Sequence, residues 1–340
     1  MNRFEVHPLP SLPHARTDRV VALCGGVGGA KLALGLERTL QAGCLTLAVN
    51  TGDDFEFLGL HVSPDLDTVL YTLAGVSDTI RGWGRADESW NFMAALERWG
   101  GETWFSLGDR DLALHVERTR RLQAGETLTG IMGDMAHRAG IGAQLLPMSD
   151  EPVRTIVQTA QGALPFQHYF VKHRCTPEVT GISFDGVDCA TANPALTQAL
   201  ADPELAAVVI CPSNPILSID PILAVPGVRA ALRRTTAPVV VVSPIVGGQA
   251  VKGPTAKIMG ELGLRADSAG IAAHYGGLVD GLVIDSSDAA EAETLDLPVH
   301  ITRTLMRDAD DKRRLACAVL DFAAALNDTR AATRGVRSVR

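Results

Sequence analysis

Four carboxylates, Asp53, Asp54, Asp65 and Asp67, follow closely behind a glycine turn near the start of the chain. The turn is Gly25-Gly26-Val27-Gly28-Gly29-Ala30-Lys31, and it comes after an apolar run from Arg19 to Cys24. A helix is expected from Leu32 to Leu40, then a second apolar run from Leu45 to Val49 that ends in Asn50-Thr51-Gly52-Asp53-Asp54. Pro64-Asp65-Leu66-Asp67-Thr68 comes soon after. A glycine turn that opens a helix exposes backbone N–H groups and the positive end of the helix dipole, which suits a phosphate. Hard divalent cations take carboxylate and phosphate oxygens together, so acids beside such a seat point to magnesium-assisted phosphate chemistry. A purely structural βαβ turn accounts for the glycines but leaves the acids without a purpose.

The near misses in the turn narrow its chemistry. A dinucleotide fingerprint, Gly-x-Gly-x-x-Gly, fits Gly26 and Gly28, but Lys31 holds the third glycine position. A P-loop needs a further glycine and a Ser/Thr after its lysine; Ala30 and Leu32 stand there. Leu32 cannot ligate magnesium, so a metal must be held by other residues, and the aspartates supply them.

These groups need a scaffold to bring them together, and the chain can build one. It has 340 residues, 46% of them hydrophobic and 21% charged, enough for a large core in one or two domains. Its formal net charge of −8 argues against a nucleic-acid or anionic-membrane surface as partner. Six cysteines are scattered without a Cys-x-x-Cys pair, as expected for reduced, buried thiols. No apolar run approaches the length of roughly 18 residues that spans a bilayer. Residues 1–18 have no signal-peptide core, and a cytoplasmic location is expected.

Strands alternate with helices from Arg19 onward, which implies an α/β fold: a Rossmann-like, mostly parallel sheet with helices on both faces. Further strands are expected at 207–211, 238–242 and 281–284 from their β-branched runs. Helices are expected at 65–73, 88–99, 109–123, 127–139, 226–234, 254–262, 268–275 and 310–325. The stretch 85–195 breaks this rhythm and reads as an inserted smaller α+β lobe. The nucleotide-binding core would then be 19–84 with 196–326, and 1–18 and 327–340 would be flexible tails.

Ligands in open α/β sheets lie outside the carboxyl ends of the strands. Two later strands end in Ser213-Asn214-Pro215 and Ser243-Pro244-Ile245, so Ser213, Asn214 and Ser243 would face the crevice of the glycine turn. They offer hydrogen bonds to a base, ribose or phosphate, although the same residue types are favoured in turns. Lys252 and Lys257 would neutralise phosphate, although a lone lysine is usually just solvated. Trp83, between Gly82 and Gly84, would stack on a planar ring or fold back over the core edge, with Trp90 and Asn91 soon after. Asp109 reads as the N-cap of its own helix and Arg110 as a contact for an anionic substrate, while His115 is given no role.

The ordered set of motifs resembles the 2-phospho-L-lactate transferase family (CofD, or FbiA) of coenzyme F-420 biosynthesis. It comprises Gly25 to Lys31, Asn50 to Asp54, Ser63 to Tyr71, Gly82-Trp83-Gly84, Leu107 to Ala113, Leu146 to Asp150, Phe166-Gln167, Ser213 to Leu223 and Ser243 to Ile245. Together these cover about residues 20 to 260. The resemblance implies a magnesium-dependent, commonly dimeric transferase that joins the deazaflavin Fo to a phosphorylated three-carbon acid. The acid arrives as a diphospho-guanosine from a partner guanylyltransferase; the terminal ribityl hydroxyl of Fo attacks and GMP leaves.

Carried over by residue, the resemblance makes Asp53 and Asp67 catalytic and metal-binding, with Asp54 a further metal ligand. Fo would meet Asp67, Asp65, Ser106, Trp83, Asn91 and Arg110. The position of Ser106 is often lysine in the family, a departure at the acceptor contact. Gly25, Gly26, Gly28, Gly29 and Lys31 would hold the guanosine diphosphate, with Ser213, Asn214 and Ser243 near the nucleotide. Asp67 is the candidate base. A sister family of the same fold, the YvcK-type UDP-sugar-binding regulators, would show Gly-Gly-Gly-Thr-Gly and Asp-Asp-Gly-Gly-Ser-Ser where this chain has neither. An NAD-dependent oxidoreductase fails on the missing third glycine.

Overall fold

The computed structural model describes residues 15–250 and 253–337, so Lys252 and most of the expected N-terminal tail lie outside the described residues. The main sheet is built from β1 (Arg19–Cys24) and β2 (Leu45–Val49). Between them runs α1 (Gly26–Glu37). A hairpin, β3 (Phe55–Phe57) with β4 (Leu60–Val62), leads into α2 (Pro64–Leu73). Then come α3 (Asn91–Arg98), α4 (Asp109–Gln123), α5 (Leu128–Arg138) and β5 (Gln144–Pro147). A separate antiparallel sheet is made of β6 (Arg154–Thr159), β7 (Gly162–Pro165) and β8 (Val179–Asp185). The chain then returns through β9 (Leu205–Ile210), β10 (Val239–Val242), the small ribbon of β11 (Ile245–Val246) with β12 (Gln249–Ala250), β13 (Gly281–Asp285) and β14 (Val299–Thr302).

The seven strands of the main sheet lie in the order β14-β13-β10-β9-β1-β2-β5, with each neighbouring pair parallel. From β1 the chain steps outward to β2 and β5, then crosses back to the other side of β1 with β9 and steps outward again. The order therefore reverses between β1 and β9, and the loops leaving these two strands diverge to opposite faces, opening a crevice at their carboxyl ends. The central strands are apolar on both faces because each face is covered. Val21, Leu23, Val208 and Ile210 pack on one side, while Val20, Ala22, Val209 and the helices α1 and α2 pack on the other.

The glycine turn is itself the first turn of α1, which begins at Gly26 rather than at the expected Leu32. Glycine is a poor helix former, so its use here reflects contact. A Cβ on Gly28 would overlap the Pro212 carbonyl, and one on Gly29 would overlap Ser213 Oγ. Gly26 sits at φ +64°, a left-handed conformation that favours glycine. The turn thus presses backbone against backbone where β1 and β9 part.

Two expectations about segments change. The stretch 85–195 is not one inserted lobe: β5, within it, pairs with β2 at the edge of the main sheet. What stands apart is the β6–β8 sheet and the aromatic cluster of Phe57, Met93 and Leu107 with Phe55, Trp90, Trp104 and Phe105. The expected C-terminal tail from 327 is helical to Arg337, continuing the helix Ala309–Arg337.

Asp109 also differs from expectation. Its carboxylate accepts from the backbone N–H groups of Asn91 and Phe92, capping α3, while Glu88 accepts from Arg110 N and Asp111 N and caps α4. The two helices exchange caps, and the Asp109 carboxyl is drawn down to about 2 by hydrogen bonds from Ser89 and the α3 backbone. Gly28→Ala should lower stability by roughly 1–3 kcal/mol, the range for overpacking. Chemical denaturation checks this; a wild-type midpoint with an unchanged slope would mean that the turn and Pro212 are not in close contact.

Candidate active site

A cavity of about 570 Å³ opens at the carboxyl ends of β1, β9 and β10. Its floor is Gly25, Gly26, Gly28 and Lys31, and Pro212, Ser213, Asn214, Ser218, Ser243 and Thr255 continue the wall at that end. The opposite end is lined by Asp67, Tyr71, Trp83, Phe105, Ser106, Asp111, His115, Phe166 and Phe170. Asp53 and Asp65 lie on the wall as well. One end is thus rich in backbone N–H groups at a helix start, and the other in aromatic rings and carboxylates.

At the glycine end, the side chains expected to touch a nucleotide are already engaged in building the turn. Ser213 Oγ accepts from Gly25 N at 3.1 Å and donates to Gly25 O at 2.8 Å, stapling the exit of β9 to that of β1. Asn214 Oδ1 accepts from Ile216 N and Leu217 N, and its amide donates to Thr255 Oγ1. Ser243 Oγ accepts from Ile245 N and is 1% exposed. Gly29 is buried beneath the turn and does not line the cavity, so its role is close packing. Lys31 does line it, with Nζ donating to Met306 O at 3.1 Å. Thr304, Leu305 and Met306 complete this wall. Asp285, buried at the end of β13, holds them in place by accepting from Thr304 N at 2.6 Å.

Asn50, fully buried, organises the acids. Its amide nitrogen donates to Asp53 Oδ1 at 3.0 Å and Asp65 Oδ2 at 2.9 Å, while its oxygen accepts from Gly52 N at 2.7 Å. Asp53 and Asp65 are therefore held side by side, and neither has a basic ion-pair partner among the described residues. Burial, then repulsion from Asp65, pushes the Asp53 carboxyl well above its ordinary range. Burial lifts Asp65 to about 6, against hydrogen bonds from Asn50 and the Gly26 N–H. Two buried carboxylates short of positive charge, beside a phosphate seat, suit a magnesium ion, which takes one or two carboxylates plus phosphate oxygens. Among the described residues no three His, Cys, Asp or Glu side chains converge into a ready cage, so phosphate would have to complete the coordination.

The other two metal candidates are differently employed. Asp54 does not line the cavity; it accepts from Ser63 Oγ at 2.6 Å and lies 3.3 Å from His61 Nε2. Burial raises its carboxyl to about 7 and lowers His61 to about 3, so the pair sits behind the wall as structural support. Asp67 faces the cavity, but both its oxygens accept from Arg118, at 2.7 and 2.8 Å. Burial pushes the Asp67 carboxyl up, and the guanidinium opposes that shift. Arg118 has no exposed surface, and the sequence pattern of a polar helix concealed it.

At the aromatic end, Trp83 and Ser106 reach the cavity as expected. Trp83 is 47% exposed and forms an edge contact with Trp90, while Arg81 lies over both rings. Asn91 and Arg110 do not reach it. Asn91 Nδ2 bonds to Asp109, and Arg110 is an exposed residue on the first turn of α4. Asn91 is thereby committed to the exchanged caps, while Asp111, the residue after Arg110, lines the cavity. Tyr71, Asp111, Phe105, Phe170 and Gln167 were not picked out as site residues; Gln167 donates to Asp53 O at 3.4 Å. The Phe166-Gln167 pair and the Asp-x-Asp of Asp109 to Asp111 were the available signals.

Comparison with known proteins agrees with this architecture. Residues 20–322 match the family described as 2-phospho-L-lactate transferase CofD. A phosphoenolpyruvate transferase of Streptomyces griseus is 40% identical over 314 residues, covering 90% of this chain and 98% of its own length. One from Mycolicibacterium smegmatis is 37% identical over 326 residues with the same coverage. A crystal structure of a UPF0052-family protein from Bacillus halodurans superimposes with a TM-score of 0.59 over 90% of this chain and 99% of its own, at 15% identity, which speaks to the fold alone. Among the described residues, no single helix is long and apolar enough to cross a membrane. The chain is a transferase and belongs to the CofD family of 2-phospho-L-lactate transferases.

Proposed function

We propose that this transferase moves a phosphorylated three-carbon acid from its diphospho-guanosine donor to the terminal ribityl hydroxyl of the deazaflavin Fo. The products are GMP and coenzyme F-420-0 or its enolpyruvyl analogue. The observation that carries this reading is the polarity of one continuous cavity: a glycine helix start at one end, aromatic rings with carboxylates at the other, and the Asp53–Asp65 pair on its wall. The names of the relatives, phosphoenolpyruvate transferases, favour the enolpyruvyl acid as the donor group.

In this scheme the N–H groups of the glycine turn and Lys31 hold the diphosphate. The aromatic end receives the flat ring of Fo and aims its hydroxyl back along the cavity. The hydroxyl oxygen forms a bond to the phosphorus nearer the acid, the anhydride bond to GMP breaks, and the hydroxyl proton passes to a nearby carboxylate. Positioning and charge neutralisation supply most of the acceleration in phosphoryl chemistry. Asp53 and Asp65 would hold a magnesium ion, which when bound neutralises the diphosphate. Asp67, gripped on both oxygens by Arg118, suits orienting the acceptor better than removing its proton. A guanylyltransferase must supply the donor, and a homodimer is the expected assembly.

The direct test is mass spectrometry of the product from Fo, GTP, a guanylyltransferase and each candidate acid phosphate in turn. The enolpyruvyl product should dominate; products from phospholactate or 3-phosphoglycerate alone would reassign the donor, and no product from any would refute the transfer. Lys31→Ala should weaken GDP binding by roughly 1–3 kcal/mol through loss of a charge-assisted hydrogen bond. Unchanged affinity on calorimetric titration would remove Lys31 from the phosphate seat. Asp67→Asn should abolish transfer while the protein stays folded, and wild-type turnover by that variant would remove Asp67 from the reaction.

The raised carboxyls add a pH dependence. A buried acid whose folded pKa exceeds its unfolded value costs stability as pH climbs from the unfolded value toward the folded one, and the full cost persists above it. For Asp65 this window runs from 3.8 to about 6, and Asp53 shifts in the same direction. Magnesium with GDP should therefore raise the melting temperature more at pH 7.5 than at pH 5. An equal rise at both, seen by calorimetry, would place the cation elsewhere.

A further inference from the structure

The acceptor end of the cavity carries a polar chain that the scheme above leaves without work. Tyr71, Asp111 and His115 all line it. Tyr71 Oη donates to Asp111 Oδ1 at 2.5 Å. His115 Nε2 lies 3.2 Å from the same oxygen, near enough for attraction but not aligned as a full hydrogen bond. On the other side of the ring, Nδ1 is 2.9 Å from Arg118 Nη2. A guanidinium only donates, so Nδ1 accepts and the ring proton sits on Nε2, facing Asp111. Asp111 is thus oriented through one oxygen from two sides. Among the described residues, nothing donates to its other oxygen, Oδ2.

A carboxylate placed between Tyr71 and His115, in a wall that also holds Phe105, Phe166 and Phe170, costs desolvation that an apolar residue would avoid. Its side chain is only 13% exposed. Burial pushes the carboxyl up, but His115, Tyr71 and Arg118 outweigh it, and Asp111 ends below the ordinary carboxylate range. It stays ionised at neutral pH, and an ionised carboxylate only accepts hydrogen bonds. Its complement is a hydroxyl.

We propose that Asp111 is a substrate-binding residue whose Oδ2 receives a hydroxyl of the acceptor's uncharged polyol tail, and that Tyr71 and His115 position it. This rests on the acceptor being a flat ring with a hydroxylated tail.

The test varies the acceptor at saturating donor. Asp111→Asn should raise the KM for Fo about 10- to 100-fold, the range for a hydrogen bond to a charged group. The KM for the donor and the affinity for GDP should stay at their wild-type values. Tyr71→Phe, which keeps the carboxylate and removes one of its orienting partners, should raise the Fo KM by a smaller factor. In parallel, riboflavin is titrated against the protein by tryptophan fluorescence. Asp111→Asn should bind it about 10- to 100-fold more weakly than the wild type. A wild-type Fo KM in Asp111→Asn, or the same riboflavin affinity in both proteins, overturns the proposal. If Asp111→Asn does not fold, an unchanged Fo KM and riboflavin affinity in Tyr71→Phe overturn it instead. A wild-type protein that fails to turn over Fo, yet binds riboflavin and loses affinity in Asp111→Asn, sinks the identity of the acceptor and retains the role of Asp111.

Discussion

Asn50 stands between two carboxylates that would otherwise repel each other, and one amide group donates to both. The site is organised around that arrangement. Burying Asp53 and Asp65 together is unfavourable, as their raised carboxyls record. The fold tolerates the cost because the parallel sheet around them is apolar on both faces and well covered, so the acids sit at its rim. Like charge held without a counter-ion is a standing demand for a cation or protons, and the glycine start of α1 lies beside it in the same cavity. In the proposed reaction, this pairing of a negative cradle with a helix start suits a phosphoanhydride substrate and a divalent ion together.

The geometry of the sheet decides why these groups meet. Reversal of strand order between β1 and β9 leaves a gap that neither loop closes, and Gly28 and Gly29 let α1 approach Pro212 and Ser213 within contact of backbone. Ser213, Asn214 and Ser243 spend their hydrogen bonds on the turns that form the seat. The glycine end therefore presents mostly backbone, and the aromatic end mostly side chains. A recognition site divided in this way can keep its phosphate chemistry constant while the acceptor wall changes.

Much of this was legible from residue order. Apolar runs marked β1 and β2, and β-branched runs marked β9, β10 and β13, because buried parallel strands are apolar throughout. The aspartates and the glycine turn marked the crevice, since both residue types are costly in such places without a purpose. What stayed hidden depends on contacts made between distant segments. Gln144–Pro147 is too short to declare its membership of the main sheet. Asp109 looked like a cap for its own helix because the reciprocal partner, Glu88, lies 22 residues from Arg110, the residue it caps. Arg118 sits in a charged helix whose sequence gives no hint that this one guanidinium is fully buried against Asp67. The Thr304 to Met306 wall comes from the end of the sheet most distant in sequence from the glycine turn and is held by Asp285. Asn91 was placed by its nearness in sequence to Trp83 and Arg110 by its charge, whereas Asn91 bonds to Asp109 and Arg110 is an exposed residue outside the cavity lining.

The central claim is that Asp53 and Asp65 together hold a divalent ion against a guanosine diphosphate seated on α1. Crystals grown with GDP and manganese, examined by anomalous diffraction, test it most directly. The account predicts one anomalous peak in contact with both carboxylates and with the diphosphate over Gly25 to Lys31. A manganese peak bound elsewhere, or GDP seated away from the glycine turn with Asp53 and Asp65 unligated, would contradict it.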